Sequence, residues 1–273
     1  IALGGPGAIF WMWVSAFFGM TTKFAEVVLS ILYREKTEDG RFLGGPMYYL
    51  KNGMNSKLLA GIFAAFAALA AFGIGNMVQA HSIASAMKET FELDPLMTGV
   101  VLAVITGIVL IGGLKTIVKV TEKVVPFMAI VYILGSVLVL ISNAEQIIPS
   151  LRTILSAAFT PAAATGGFMG GTLRLSLQHG LSRGVFSNEA GLGSGSIAHG
   201  AAKTDSPVKQ GFWGIFEVFV DSFVICTMTA LVILTSGMWT YGTSGAVLTA
   251  QAFESSLKGG GYLVSLSIVL FAF

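Results

Sequence analysis

The chain has 273 residues, of which 54% are hydrophobic and 11% are charged. A soluble domain carries about 25% charged residues, so this composition argues against a soluble enzyme, a disordered chain and a nucleic-acid-binding protein. The net charge of +2 is too small to indicate a polyanionic partner. The composition therefore predicts an all-α polytopic membrane protein, because helices satisfy their own backbone hydrogen bonds in lipid.

Seven segments approach the roughly 20 mainly apolar residues that a helix needs to cross a bilayer. In chain order they are residues 7–33, 58–87, 96–111, 121–142, 166–185, 208–236 and a segment beginning near 260. The fifth segment is interrupted by glycines and is expected to be a broken helix. Between the fourth and fifth, residues 145–159 alternate apolar and polar side chains at helical spacing, which predicts a short interfacial helix.

The positive charges predict the topology of these spans. Most of the lysines and arginines follow the first, third and fifth spans: Arg34, Lys36, Arg41, Lys51, Lys57, Lys115, Lys119, Lys123, Arg183, Lys203 and Lys209. Only Lys88, Arg152 and Lys258 fall on the other side. Under the positive-inside rule, the loops 34–57, 113–123 and 186–209 are predicted to be cytoplasmic. The protein is therefore expected in the cell membrane, crossing it several times.

Two pairs of ionisable residues fall inside predicted spans, where a charge is costly and faces protein or water. Lys23 and Glu26 lie three residues apart and could pair on one helix face. Glu217 and Asp221 lie four residues apart and repel each other, so they need cation, donor or proton partners. The first pair is interpreted as a structural pair near the cytoplasmic end of its span. For Glu217 and Asp221, a structural network and a role in ion movement or gating both remain open.

The second span carries Gln79 near its middle. An amide at that depth must be satisfied by protein, water or ligand. An interhelical hydrogen bond and a contact to a bound ligand are both compatible with this position.

The fifth span begins with Thr165, and four glycines occur within six residues there, at Gly166, Gly167, Gly170 and Gly171. Each glycine costs a helix about 1 kcal/mol relative to alanine. An unwound stretch exposes N–H groups at one half-helix end and C=O groups at the other, which suits a carboxylate together with an ammonium group or sodium ion. The stretch therefore predicts a site for an amino acid, with tight helix packing as the alternative.

Enzymatic and metal sites are not indicated by the sequence. No second histidine or cysteine stands at zinc-ligand spacing, and no nucleophile–base pair occurs in the spans. We therefore expect a protein that is not an enzyme and binds no metal cofactor.

Three motifs resemble the sodium:alanine symporter family, also called the alanine or glycine:cation symporters. They are residues 4–19 (GGPGAIFWMWVSAFFG), 44–49 (GGPMYY) and 187–194 (SNEAGLGS). The resemblance extends over nearly the whole chain. It implies a fold like that of the leucine transporter, with two inverted five-helix repeats whose first and sixth helices are broken. The seven spans then correspond to core helices two to eight of a single transporter domain, 1–273, truncated at both ends.

The resemblance also implies sodium-coupled symport of alanine or glycine across the cytoplasmic membrane by alternating access, with sodium as the coupling ion. In the unwound sixth helix it implies a substrate site formed by Thr165, Gly166, Gly167, Phe168 and Met169. Gln79 is expected to hydrogen-bond the substrate, and the backbone carbonyl of Phe271 to help hold sodium. Asn188 and Glu189 are assigned to a gate or structural cap.

Two alternatives use the same scaffold. Protons could drive uptake through Glu217 and Asp221, or the protein could be a membrane sensor or channel without coupled transport. The oligomeric state is not indicated by the sequence.

Overall fold

The computed structural model describes residues 1–159 and 173–273, and almost all regular structure there is helical. The α-helices are α1 (Gly7–Leu32), α2 (Pro46–Asn52), α3 (Lys57–Ala70), α4 (Val78–Phe91), α5 (Pro95–Ile111), α6 (Gly113–Ser142), α7 (Ile147–Ala157), α8 (Leu173–Asn188), α9 (Ser194–Gly200), α10 (Pro207–Val218), α11 (Cys226–Thr235), α12 (Gly245–Ser256) and α13 (Gly260–Ala272). Two-residue strands β1 (Glu35–Lys36) and β2 (Phe42–Leu43) pair as an antiparallel hairpin.

Two π-helical segments interrupt long helices. Ala71–Met77 joins α3 to α4, and Phe219–Ile225 joins α10 to α11. A π-segment inserts extra residues into a turn and therefore changes which side chains of the following helix face a neighbour.

Within residues 1–159 and 173–273, four helices are long and apolar enough to cross a membrane: Gly7–Leu32, Lys57–Phe91, Lys119–Ser142 and Pro207–Thr235. They coincide with the first, second, fourth and sixth predicted spans. The third and seventh spans coincide with the shorter apolar helices α5 and α13. The fifth falls partly on 160–172, outside the described residues. These helices support the prediction of an integral membrane protein. The count of seven spans and the leucine-transporter-like topology stay predictions.

Helix starts follow ordinary capping chemistry. The Asp94 carboxylate accepts hydrogen bonds from the backbone N–H groups of Leu96 and Met97, with Pro95 at the first position of α5. Ser206 caps α10 in the same way, followed by Pro207.

The predicted boundaries need two corrections. Residues 113–123, predicted as a loop, belong to α6, because Gly113 adopts a left-handed φ of +68° and turns the chain directly from α5 into α6. Pro126 consequently lies inside α6. Arg183, counted with a loop, lies within α8. The predicted interfacial helix is confirmed as a short helix, α7.

The glycine-packed group consists of α1, α8, α9 and α10, with α1 contacting the other three. Gly180 of α8 lies so close to α1 that an added Cβ would stand 2.5 Å from the Ala8 carbonyl oxygen. Gly184 approaches Ser15, and Gly211 of α10 approaches Phe24 in the same manner. Small residues let these backbones approach closely, as in other membrane helix contacts.

The apolar group consists of α4, α6, α12 and α13, with α13 packed on the other three. Apolar side chains fill most of its centre, although Gly135 of α6 and Gly260 of α13 also lie close to Leu263 and Phe253. The buried members from α6, α12 and α13, joined by two from α11, are Tyr132, Val139, Leu248, Ala250, Ala252, Phe253, Val264, Val232 and Ile233.

Candidate functional site

A cavity of about 340 Å³ lies among α4, α6, α11, α12 and α13. Both Gln79 and Phe271 line it, together with Ser82, Tyr132 and Thr229. The structure therefore brings together the side chain predicted to bind substrate and the residue predicted to help hold sodium. The rings of Tyr132 and Phe271 meet edge to face, with centroids 5.5 Å apart.

Gln79 comes two residues after the π-helix Ala71–Met77. Such segments are frequent at functional sites because they redirect side chains. Within residues 1–159 and 173–273, the Gln79 amide makes no hydrogen bond to another helix. The position thus leaves the amide available to the cavity rather than using it in helix packing.

A second cavity, of about 470 Å³, adjoins the first and lies among α1, α8, α11 and α12. Arg183, Thr229, Gly245 and Thr249 line both cavities. Both volumes fall in the range of about 300–1,000 Å³ that small-molecule sites occupy.

Arg183 is the cavity residue that the sequence analysis missed. It was counted as a cation following the fifth span, although it falls inside that span's own limits of 166–185. A cation within a span is a signal for a functional site, and this signal was sufficient to find it.

The predicted substrate residues Thr165, Gly166, Gly167, Phe168 and Met169 lie outside the described residues. The described part of the fifth span begins at Leu173, the first residue of α8. The assignment of these five residues to the site stays a prediction.

Asn188 and Glu189 lie at the opposite end of α8. Asn188 is buried, and its side chain donates to the Ser222 hydroxyl at 3.1 Å and accepts from the backbone N–H of Ala190 at 3.0 Å. Glu189 has a left-handed φ of 55°, and its carboxylate accepts from Ser194 Oγ at 2.7 Å. These contacts hold the segment that follows α8, and the assignment of both residues to a gate or structural cap stays a prediction.

Lys23 is fully buried, and its ammonium donates to the Asn188 carbonyl at 3.1 Å and pairs with Glu217 at 3.4 Å. The expected pair with Glu26 is not among the ion pairs of the described residues, because α10 brings Glu217 to the ammonium. The other oxygen of Glu217 lies 2.8 Å from His199 Nε2. Three helices of the glycine-packed group, α1, α9 and α10, therefore meet at the Glu217 carboxylate.

Asp221 lies in the second π-helix and has different partners. Its carboxylate accepts hydrogen bonds from Ser187 Oγ at 2.8 Å and Ser222 Oγ at 3.0 Å. The two acids predicted to repel each other thus have separate partners, Glu217 the Lys23 ammonium and the His199 ring, and Asp221 two hydroxyls. In the described part of the chain, no group of three or more His, Cys, Asp or Glu side chains could hold a metal ion.

Comparison with known proteins gives the family. The chain is 48% identical over 279 residues to the sodium/alanine symporter AgcS of Methanococcus maripaludis, an alignment that covers 99% of this chain and 61% of that protein. It is 44% identical to the uncharacterized transporter YflA of Bacillus subtilis, over 99% of this chain and 58% of that protein. It is 40% identical to the probable sodium/glutamine symporter GlnT of Bacillus subtilis, over 100% of this chain and 56% of that protein.

The chain thus spans about three fifths of the length of these curated relatives. The family model described as the sodium:alanine symporter family matches residues 1–273, which is the whole sequence. With its apolar helices and glycine-packed core, this chain belongs to the sodium:alanine symporter family.

Proposed function

We propose that the protein carries a small neutral amino acid, alanine or glycine, across the cell membrane together with sodium by alternating access. The observation that carries the proposal is the shared cavity: Gln79 and Phe271 line one space between helices of a symporter-family chain. In this proposal, Gln79 hydrogen-bonds the substrate, and the Phe271 carbonyl contributes to the sodium site. Residues 165–169 supply backbone contacts, and the helices form a leucine-transporter-like bundle.

The contacts of Glu217 support sodium rather than protons as the coupling ion. Glu217, which a proton pathway would use, is held between Lys23 and His199. An acid engaged by two basic groups is a poor proton carrier, because its ionised form is the one its partners stabilise. In the proton-coupled alternative, Asp221 would be the proton carrier, because its partners are hydroxyls and not basic groups.

Uptake into liposomes tests the proposal. The full-length gene product should accumulate labelled alanine above equilibrium when an inward sodium gradient is imposed at fixed pH. Equal accumulation with potassium in place of sodium, driven by a pH gradient, would establish the proton-coupled alternative. Absence of accumulation under any gradient would favour a sensor or channel. Glutamine should compete poorly, whereas strong competition would move the substrate class toward that named for GlnT.

A variant at Gln79 tests the site in the same assay. Gln79→Ala removes one hydrogen bond and should weaken alanine binding about 2- to 10-fold. Gln146→Ala is the matched control, because Gln146 is exposed in a short 3-10 helix and lines neither cavity. Unchanged alanine affinity in folded Gln79→Ala protein would remove Gln79 from the site.

A further inference from the structure

Two of the three motifs that indicate the family contact each other in the fold. Pro46 of the GGPMYY motif lies so close to Gly193 of the SNEAGLGS motif that a side chain at Gly193 would meet the proline ring. Gly44 and Gly200 also meet backbone to backbone, because a Cβ on Gly200 would stand 2.5 Å from the Gly44 Cα. These contacts join the two loops that follow the first and fifth predicted spans, both of which are predicted to be cytoplasmic.

Arg34 holds this junction from just beyond the end of α1. Its guanidinium donates to three carbonyls at the end of α9 and after it, those of Gly200 at 3.4 Å, Ala202 at 2.7 Å and Thr204 at 2.7 Å. The Phe42 ring of β2 covers the guanidinium, with its centroid 3.8 Å from the guanidinium carbon. One side chain thereby satisfies carbonyls that a helix end leaves without partners, which a planar fork of donors does better than a single ammonium.

Under the predicted topology, the junction lies on the cytoplasmic side of the cavities. Met12 of α1 lines the larger cavity, and roughly 20 residues of helix separate it from the end of α1 at Leu32, which corresponds to about 30 Å. Near that end, the buried Ser30 hydroxyl donates to the Ser196 carbonyl of α9 at 2.7 Å. The end of α1 is therefore closed against α9 by hydrogen bonds and by direct backbone contact.

We propose that Arg34 is the latch of a cytoplasmic gate formed by these two loops, an inference that rests on the alternating access of the proposed function. While the guanidinium holds the carbonyls after α9, the larger cavity is closed to the cytoplasm, and these hydrogen bonds break when the gate opens. Hydrogen bonds from a charged donor are stronger than neutral ones and remain reversible, which suits a contact that opens in every cycle. Arg34 touches no transported molecule in this scheme and is a positioning residue.

Cys226 makes the gate observable, because it lines the larger cavity and is the single cysteine of the sequence. The experiment uses full-length gene product that keeps Cys226 as its only cysteine. A membrane-impermeant methanethiosulfonate reagent is applied to one side of the vesicle membrane at a time, and the rate of Cys226 labelling is measured. Arg34→Gln should raise the rate from the cytoplasmic side about 10-fold and should not raise the rate from the outer side.

Two further variants sharpen the test. Arg34→Lys should give an intermediate cytoplasmic rate, because it keeps a charged donor without the planar fork. Arg41→Gln is the matched control in the same loop, since Arg41 pairs with Asp39 on the exposed hairpin, and it should change neither rate.

An unchanged cytoplasmic rate in Arg34→Gln would overturn the assignment, and an equal rise from both sides would show that Arg34 only stabilises the fold. If Arg34→Gln does not fold, Arg34→Lys decides, because a cytoplasmic rate equal to that of the wild type contradicts the latch. Labelling needs neither alanine nor a sodium gradient. A wild-type protein that fails to accumulate alanine would therefore overturn the transport proposal, whereas the labelling rates decide the latch separately.

Discussion

The glycine-packed group and the apolar group are built on different contacts. In the first, backbones approach closely at Gly180 and Gly184, and the buried Lys23 ammonium joins α1 to the end of α8 and to α10. In the second, apolar side chains such as Phe253 and Val139 fill most of the space between the helices.

The difference shows how one membrane domain obtains both precision and tolerance. Close backbone contacts and directed hydrogen bonds have few alternative arrangements, so a small change disrupts them. A centre of apolar side chains can repack when one of them changes. We therefore expect substitutions in the glycine-packed group to cost more than comparable ones in the apolar group.

The largest expected effect is at Lys23. Lys23→Met keeps the length of the side chain but removes the donor to the Asn188 carbonyl and leaves Glu217 with His199 alone. Because the Glu217 side chain is 47% exposed, the free energy of unfolding should fall by about 3 kcal/mol, the upper end for a lost hydrogen bond to a charged group. Unfolding in a mixed-micelle denaturant titration measures the change. The exposed Lys88→Met is the control and should change stability by less than about 0.5 kcal/mol. Adding Glu217→Gln to Lys23→Met should recover part of the loss, and strict additivity would argue against a direct pair.

Two glycine substitutions should have the next largest effects on the free energy of unfolding, and these effects should be opposite in sign. Gly180→Ala places a Cβ 2.5 Å from the Ala8 carbonyl oxygen and 2.6 Å from Trp11 Cβ, and should cost about 1–3 kcal/mol as overpacking does. Gly107→Ala in α5 meets no atom within 4 Å and should stabilise its helix by about 0.5–1 kcal/mol. The same titration measures both, and equal effects at the two sites would contradict the close backbone contact described at Gly180.

The smallest effect concerns Glu254, within the apolar group. Its carboxylate accepts from the backbone N–H groups of Gly259 and Gly261 at the start of α13, and these hydrogen bonds lower its pKa below the ordinary 4.5. A lowered pKa means that the ionised form stabilises the fold at neutral pH and that this stabilisation disappears as pH falls through the lowered value. Glu254→Gln should therefore cost less than about 1 kcal/mol at pH 7. The difference between variant and wild type should vanish in acid, and a difference that persists there would contradict the carboxylate's role.

Hydropathy was sufficient to locate the membrane helices, because apolar length is a local property of the chain. Four predicted spans coincide with long apolar helices, and the short helix α7 was recognised from its amphipathic spacing. The prediction of a loop at 113–123 was wrong, because Gly112 and Gly113 turn the chain from α5 into α6 without further loop residues.

Contacts between residues far apart in the chain could not be predicted from the spacing of residues within one helix. Helix periodicity suggests Glu26 as a partner for Lys23, whereas the ammonium pairs with a carboxylate 194 residues later in the chain. The two π-helices were not foreseen either, because a change of hydrogen-bond register leaves no mark on apolar patterning. Gln79 was selected by its depth in a span, and its place in a cavity beside Phe271 required the folded arrangement.

The separation between Lys23 and its partners bears on how the protein is made. Ribosomes add about 5–20 residues per second, so roughly 10–40 s pass between the synthesis of Lys23 and that of Glu217, 194 residues later. During this interval, α1 carries a charged side chain whose eventual carbonyl and carboxylate partners do not yet exist. A long lysine can extend to interfacial water in the meantime. We therefore expect α1 to reach its final depth only when α8 and α10 arrive, so that these helices complete their insertion together rather than one at a time.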